Sequence, residues 1–448
     1  MIESAGTIGV VCCDTTGGGA ERATFIWAKR RSGLGDRIVW FCRKQSADAI
    51  KHRCSVYNLD WELVSLSDFD MEVRVQEFRD GLLQNKVGLV LLPDHWHKSV
   101  FSDITVAKSV GCRIIVAEHN AFHWPMDTCN FELMRRRNEI YRAVDAITVL
   151  SPINVAWWEA NGFKGKVVYM PNYLSFEVLP ESASICTKDN ELVFMGRICE
   201  LKGAHLVLDA VSRAIHEKGL VHAHLTFVGR FESAEFETRI RQQVRRLRME
   251  RYVTFTGQVD DVQPYLMRGK LLIMGSRIEG APMVLMEAKS YSVPSVLFEM
   301  PYVDGTAEGQ GVIAVPYGDV EALAVAIAEV CTNASLYERL ALEARRSLVA
   351  YQAKEIDARW RRLFEQISGG DGRLDPGCAA VAPEWALATL LQGISNCTIP
   401  MSAFQRKASA DAVALQVIRN ARPFRMLRRL ARAMYGMVRK ELPLWATV

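Results

Sequence analysis

Short runs of apolar and β-branched residues alternate along the chain with longer stretches whose apolar positions recur every three or four residues. The short runs predict strands near Thr7–Cys13, Asp36–Cys42, Leu63–Leu66, Val87–Leu92, Arg113–Ala117, Ala146–Leu150 and Lys166–Met170. A second series is predicted near Glu191–Met195, Ala223–Val228, Val253–Thr256, Leu271–Met274, Ser295–Leu297 and Val312–Val315. Helical spacing fills the gaps, as in Glu21 to Arg31 and Ser99 to Val110, and it dominates after Val315. Strand–helix alternation implies parallel sheets covered on both faces, and each series is long enough for one doubly wound sheet. The expected fold is therefore α/β, with two Rossmann-like domains whose carboxyl strand ends face a cleft, where ligands of such folds bind. The predicted segments are an N-terminal domain at 1–175, a hinge at 176–190 and a C-terminal domain at 191–345. A helical return segment at 346–368 and a linker with a C-terminal extension at 369–448 complete the chain. Pro171, Pro180 and the polar stretch SASICTKDN mark the hinge.

Composition narrows the class. With 448 residues, 49% hydrophobic and 24% charged, the chain is too apolar to be disordered, and its two predicted domains have ordinary sizes. No apolar run is long enough to predict a membrane-spanning helix, and MIESAGTIGVVCCD reads as a first strand rather than a signal peptide. The 11 cysteines are scattered without a Cys-x-x-Cys, which predicts no disulfide framework or zinc site and favours a reducing, cytoplasmic location. Net charge is +4, but it is unevenly placed. From Met401 to Val448, ten basic residues face only Asp411 and Glu441, giving +8, while the preceding 400 residues carry −4. A mildly acidic body with a basic tail argues against nucleic acid as a partner and for an anionic partner at the tail. Residues 420–448 place Phe424, Leu427, Leu430, Met434 and Val438 at helical spacing, with arginines between them and Trp445 after them. That pattern suits a helix lying on an anionic membrane surface. A helix docked on the body, or on a partner, fits it equally.

Three clusters carry candidate chemistry. Asp14 to Arg22 follows a strand and opens a helix through Gly17, Gly18 and Gly19, so its backbone can approach a ligand; it is equally a tight turn. Phe194-Met-Gly196-Arg197-Ile-Cys-Glu-Leu-Lys202-Gly203 puts two cations five residues apart where a strand ends. Arg and Lys so placed suit a diphosphate. In Ser276-Arg-Ile-Glu279-Gly280-Ala281-Pro282-Met283-Val284-Leu-Met-Glu287, a turn precedes a helix expected to hold Pro282 in its first turn. Amides from Gly280 to Val284 would point at an anion or at sugar hydroxyls, and a carboxylate suits vicinal hydroxyls because it accepts two hydrogen bonds. Each cluster alone also fits a solvated surface.

Their order changes this. The chain resembles glycosyltransferase family 4, retaining enzymes of GT-B type that use nucleotide sugars. The resemblance rests on Gly-Gly-Ala-Glu-Arg at 18–22, Ser151, Pro171-Asn172, Gly-Arg-x4-Lys-Gly at 196–203, Val228-Gly229, Thr256-Gly257, Glu279-x7-Glu287, Ala288 and Pro294, and covers roughly residues 8–345. It implies that Arg197 and Lys202 hold the donor diphosphate, that Glu287 binds the ribose and that Glu279 faces the donor sugar. Gly280, Ala281, Pro282, Met283 and Val284 would cradle the sugar and distal phosphate. Gly18 and Gly19 would approach the donor from the other domain, and Gly257 to Val259 would line the base pocket. His119, in Ala-Glu118-His119-Asn120, matches a histidine many relatives carry, there to bind a sugar hydroxyl or move a proton. Asp94 and His95 end the preceding strand and would line the acceptor side. The implied activity moves a hexose-type sugar to a saccharide or lipid-linked saccharide acceptor, in cell-surface polysaccharide or glycolipid assembly. It needs no metal and no cofactor beyond the nucleotide sugar as co-substrate. Peripheral membrane attachment through the tail would fit such an acceptor. Asn172 is followed by Tyr173 rather than Gly, Ser292 stands where Gly is common, and Glu299 to Gly305 is unusual; these departures bear on donor identity. Three alternatives stand beside this one. Asp68-Phe69-Asp70 is the signal of a metal-dependent, single-domain transferase. A dehydrogenase would need a Gly-x-Gly-x-x-Gly that is missing. A non-catalytic sugar- or lipid-binding scaffold would not need the cation and glutamate pairs.

Overall fold

The computed structural model describes residues 6–12, 18–68, 70–93, 99–121, 131–180, 191–369, 373–382 and 384–389, with backbone only for 131–134. Asp94, His95, the loop residues 13–17, part of the expected hinge (181–190) and the basic tail all lie outside them.

The chain divides into two compact units, one formed by Met1–Pro171 together with the segment from Asp357 onward, the other by Asn172–Ile356. The first holds a seven-stranded sheet built from β1 (Thr7–Val11), β2 (Arg37–Arg43), β3 (Glu62–Leu66), β4 (Leu89–Pro93), β5 (Arg113–Glu118), β6 (Ala146–Val149) and β7 (Val167–Tyr169). Its order is β3-β2-β1-β4-β5-β6-β7, and every pairing is parallel. The second holds six strands: β8 (Glu191–Met195), β9 (His224–Val228), β10 (Val253–Gly257), β11 (Leu271–Met274), β12 (Ser295–Phe298) and β13 (Val312–Val315). Their order is β10-β9-β8-β11-β12-β13, again wholly parallel. Strands buried on both faces need apolar residues without alternation. That is why LVLLP in β4 and LLIM in β11 are buried throughout. The α/β, doubly wound expectation therefore holds for both sheets.

In each sheet the order reverses once, between β1 and β4 in the first and between β8 and β11 in the second. Chains leaving these strands diverge to opposite faces, which opens a crevice at the carboxyl ends. The loop with Gly18 and Gly19 follows β1, and the Arg197–Lys202 loop follows β8.

The return segment is a helix from Ala353 to Ser368, whose residues from Asp357 onward count with the first unit. Arg30, on the first helix (α1, Gly19–Gly33), donates from Nε to Asp357 at 3.2 Å. Trp27 and Trp360 pack with ring centroids 5.1 Å apart, and the Arg31 guanidinium lies 4.8 Å from the Phe364 ring. The described end of the expected hinge is fastened to the second unit: the Leu179 amide donates to Ser290 (3.1 Å) and Arg345 Nη1 donates to the Pro180 carbonyl (2.7 Å). Among the described residues no single helix is long and apolar enough to cross a membrane.

Two glycine-to-glycine approaches shape the loop after β8. Gly229 has φ +146°, and a Cβ there would lie 2.0 Å from the Gly196 carbonyl oxygen. Gly203 has φ +63°, and a Cβ there would lie 1.9 Å from the Gly275 oxygen. Such distances exclude any side chain, so the loop is clamped between the ends of β9 and β11 only because these positions are glycine. We expect Gly203→Ala to cost about 3 kcal/mol, from left-handed strain plus collision. Gly219→Ala, with φ +80° and no neighbour within 4 Å, should cost only about 1 kcal/mol. Chemical denaturation of both variants checks the difference; equal costs would show that the loop simply moves aside.

Candidate functional site

The clamp determines what meets at the β8/β11 reversal. Lys202 stands just before Gly203, and Ser276 and Glu279 follow Gly275. The Arg277 amide donates to the Leu201 carbonyl at 3.0 Å, tying the two loops together. Lys202 Nζ donates to both Glu279 oxygens, at 2.6 and 2.7 Å, and Ser276 Oγ donates to Oε1 at 2.6 Å. The Glu279 side chain is 9% exposed and that of Lys202 is 26% exposed. The two donors compensate the burial of this carboxylate, and the lysine beside it keeps one open side.

Helix α2, Met283–Ser290, follows that turn. The sequence expectation put Pro282 inside its first turn; instead Pro282 is the N-cap, with φ −69° and ψ 107°, and no side chain caps the helix. The correction is one residue. Pro282 still has the φ of a helix, but its extended ψ delays the first helical turn until Met283. Gly280, Ala281, Met283 and Val284 occupy the turn and the helix start, where main-chain amides and the helix dipole favour an anion. Glu287 lies on the helix at 1% exposure and accepts a 2.7 Å hydrogen bond from Ser175 Oγ. So deep a carboxylate, aligned by a hydroxyl, resembles a built acceptor more than a solvated helix residue. The Ser175 contact spans more than a hundred residues and carries no motif.

Arg197 occupies the same β8 loop. Its Nη1 lies 3.2 Å from Glu232, with both side chains about half exposed. The Cys199 thiol, fully buried within that loop, is pushed up from its ordinary value by burial, while the Lys202 amide and the charges of Glu232, Arg197 and Lys202 also act on it. These groups therefore surround a single loop. Gly257, at the end of β10 with φ +71°, is exposed and lines an open cavity of about 510 Å³ together with Arg230, Phe231, Glu232 and Phe255. Val259, two residues on, is partly buried.

In the first unit, Gly18 is the N-cap of α1, and its amide donates to the Glu21 carboxylate. The expected open amides are thus reduced by one, because a glutamate in the first turn is itself attracted to the helix N-terminus. Gly19 begins the helix with open space where a Cβ would be. His119 follows β5 and is partly buried, and burial lowers its imidazole to about 4. It is therefore neutral at ordinary pH. Glu118 beside it is buried, accepting from Tyr141 Oη at 3.0 Å and Arg137 Nη1 at 3.3 Å. The Asp-x-Asp alternative finds both carboxylates engaged: Asp70 caps a helix through the amides of Glu72 and Val73 (3.0 and 3.1 Å), and Asp68 lies 3.5 Å from Arg43.

Two residues beyond Glu287, Lys289 is fully buried and donates to the Gly305 carbonyl at 2.6 Å and to Ser347 Oγ at 3.2 Å. Burial lowers it to about 7, against the raising effect of Asp304. The unfolded chain therefore binds the extra proton between about pH 7 and the ordinary lysine range, so this group adds stability as pH rises above 7. We expect the stability of the wild type relative to Lys289→Met to increase between pH 7 and pH 9.5, read from urea midpoints. A constant difference would place a charged, solvated lysine there.

Residues 189–333 match a family model described as Glycosyl transferases group 1. The match supports a glycosyltransferase. It spans the second sheet and contains Arg197, Lys202, Glu279 and Glu287. A Campylobacter jejuni α-1,4-N-acetyl-D-galactosaminyltransferase, whose name specifies a diphosphoundecaprenol-linked GalNAc acceptor, is 22% identical over 80% of this chain and 98% of its own. A lipopolysaccharide core biosynthesis glycosyltransferase of Rhizobium meliloti, LpsE, is 29% identical over 36% of this chain and 45% of its own. Among solved structures, Anabaena HepE in complex with UDP-glucose superposes with a TM-score of 0.66 at 15% identity, covering 81% of this chain and 99% of the other. Staphylococcus aureus TarM, solved with UDP, superposes with a TM-score of 0.67 at 12% identity, covering 80% and 99%. These structural likenesses establish the shared GT-B type of fold.

Proposed function

We propose that the chain is a retaining, metal-independent glycosyltransferase that moves a hexose-type sugar from a nucleotide diphosphate donor to a saccharide or lipid-linked saccharide. The observation that carries this reading is the Lys202–Glu279–Ser276 cluster at the β8/β11 reversal, with Arg197 on the same loop and buried Glu287 on the following helix. Cleaving a sugar–phosphate bond leaves negative charge on the departing nucleotide diphosphate. Fixed cations and aligned amides stabilise such charge most where water is scarce. In this reading Arg197 and Lys202 take the phosphates, and the amides from Gly280 to Val284 take the distal phosphate and sugar. Glu287 accepts the ribose hydroxyls, as it accepts the Ser175 hydroxyl. Glu279 holds Lys202 in place and faces the donor sugar. Gly257 and Val259 border the base. In the first unit, Gly18 and Gly19 supply a loop able to approach the donor. His119, being neutral, would hydrogen-bond a sugar hydroxyl rather than supply positive charge, and Asp94 and His95 belong to the acceptor side. Retention is taken from the family resemblance.

The lipid-diphosphate-linked acceptor of the C. jejuni relative and the lipopolysaccharide role of LpsE favour cell-surface glycan assembly. A basic tail that meets an anionic membrane from the cytoplasmic side would suit it. The test is turnover: purified protein, supplied with a panel of nucleotide sugars and lipid-linked acceptors, should release nucleoside diphosphate as acceptor is elongated. Tight sugar binding with no transfer across the panel would favour a scaffold that kept the fold.

A further inference from the structure

The Arg197 guanidinium is paired with Glu232, at 3.2 Å. Backbone geometry produces this pairing. Beyond the last residues of β8 and β9 the two segments remain in parallel register, with Ile198 bridging Phe231. The Ile198 amide donates to Arg230 at 2.9 Å, and the Glu232 amide donates to Ile198 at 3.1 Å. Gly229, where a Cβ would collide with the Gly196 carbonyl oxygen, permits the close approach that starts this pairing. Glu232 is therefore held one step from Arg197 by main-chain hydrogen bonds, whatever its side chain does. Glu232 also lines the open cavity of about 510 Å³.

The strength of the pair matters as much as its position. With 48% and 46% of the side chains exposed, it is a solvated ion pair. Such pairs shift an equilibrium by about twofold to fivefold. It is strong enough to orient Arg197, yet weak enough for a diphosphate, carrying more charge, to break. Lys202 differs: its partner Glu279 is buried and held by Ser276, so that pair is a fixed part of the site.

We propose that Glu232 is a resident counter-anion for Arg197, displaced when nucleoside diphosphate binds and competing for the guanidinium when it leaves. This rests on the reading of Arg197 as a diphosphate ligand. It adds that the acidic residue of the β9 loop sets how tightly that diphosphate is held and helps expel it as a product.

The test uses the full chain and two probes, inorganic pyrophosphate and UDP, with affinities measured by calorimetry. Pyrophosphate makes the result independent of the base. Glu232→Gln, close to isosteric, should bind pyrophosphate about twofold to fivefold more tightly than wild type and should release UDP correspondingly more slowly. The gain should vanish when Arg197→Ala is added. Glu237→Gln, which removes a carboxylate from the same cavity but one paired with Arg241, should leave affinity unchanged. Unchanged or weaker binding by Glu232→Gln, or a gain that persists without Arg197, overturns the proposal. The underlying reading fails differently: wild type and Arg197→Ala would then bind pyrophosphate equally, or neither would bind it.

Discussion

Lys202→Ala is expected to slow sugar transfer by about a hundredfold to a thousandfold, while nucleotide affinity changes little. The lysine ammonium lies at the reversal between β8 and β11, held by a carboxylate that is itself fixed by Ser276. A cation fixed before the reaction costs no reorganisation when charge develops on the leaving diphosphate, so its contribution falls mainly on the transition state. Single-turnover rates set against equilibrium nucleotide binding separate the two effects. A loss confined to binding would make Lys202 a ground-state anchor. Loss of folding would show instead that its chief task is to neutralise Glu279. Lys202→Met, similar in length and uncharged, checks for that through its denaturation midpoint.

Glu287→Ala should act the other way, weakening nucleotide binding about tenfold to a hundredfold. Hydrogen bonds to a charged acceptor are worth about 1.5–3 kcal/mol, and the buried position of Glu287 denies the ribose hydroxyls a water substitute. The Ser175 hydroxyl, now donating to Oε1, would lose its acceptor as well. Because the ribose stays bound through the transition state, the loss should appear in KM more than in kcat. Titration of wild type, Glu287→Gln and Glu287→Ala with UDP should give a graded series. Equal affinities would remove Glu287 from the site.

Much of this geometry was legible in the sequence, for a definite reason. The strands are buried on both faces, so they appear as unbroken apolar runs such as LVLLP and LLIM, and their alternation with helices dictates parallel sheets. Gly203 and Gly229 stand out as motif positions because side chains there would collide with the backbone of a neighbouring strand end, and Gly196 because its φ of +127° disfavours any side chain. Lys202, Glu279 and Glu287 follow from the same loops. What escaped notice depends on register between distant segments. Glu232 looks like any acidic residue before a helix, and only the continued pairing of Ile198 with Phe231 brings it to Arg197. Ser175 belongs to a segment without periodicity, yet it reaches Glu287. The placement of Pro282 at the N-cap rather than in the first turn is a matter of one ψ angle, which residue identity does not specify. The return helix was expected, but its packing through Trp360 and Asp357 on α1 required the three-dimensional arrangement.

The proposed function has Arg197 and Lys202 receive a diphosphate while the nucleotide ribose rests on Glu287. A crystal structure of the full chain with UDP tests it most directly. Phosphate oxygens within about 3 Å of Arg197 and Lys202, with ribose hydroxyls on Glu287, are the predicted result. UDP bound with its phosphates away from both cations would contradict it.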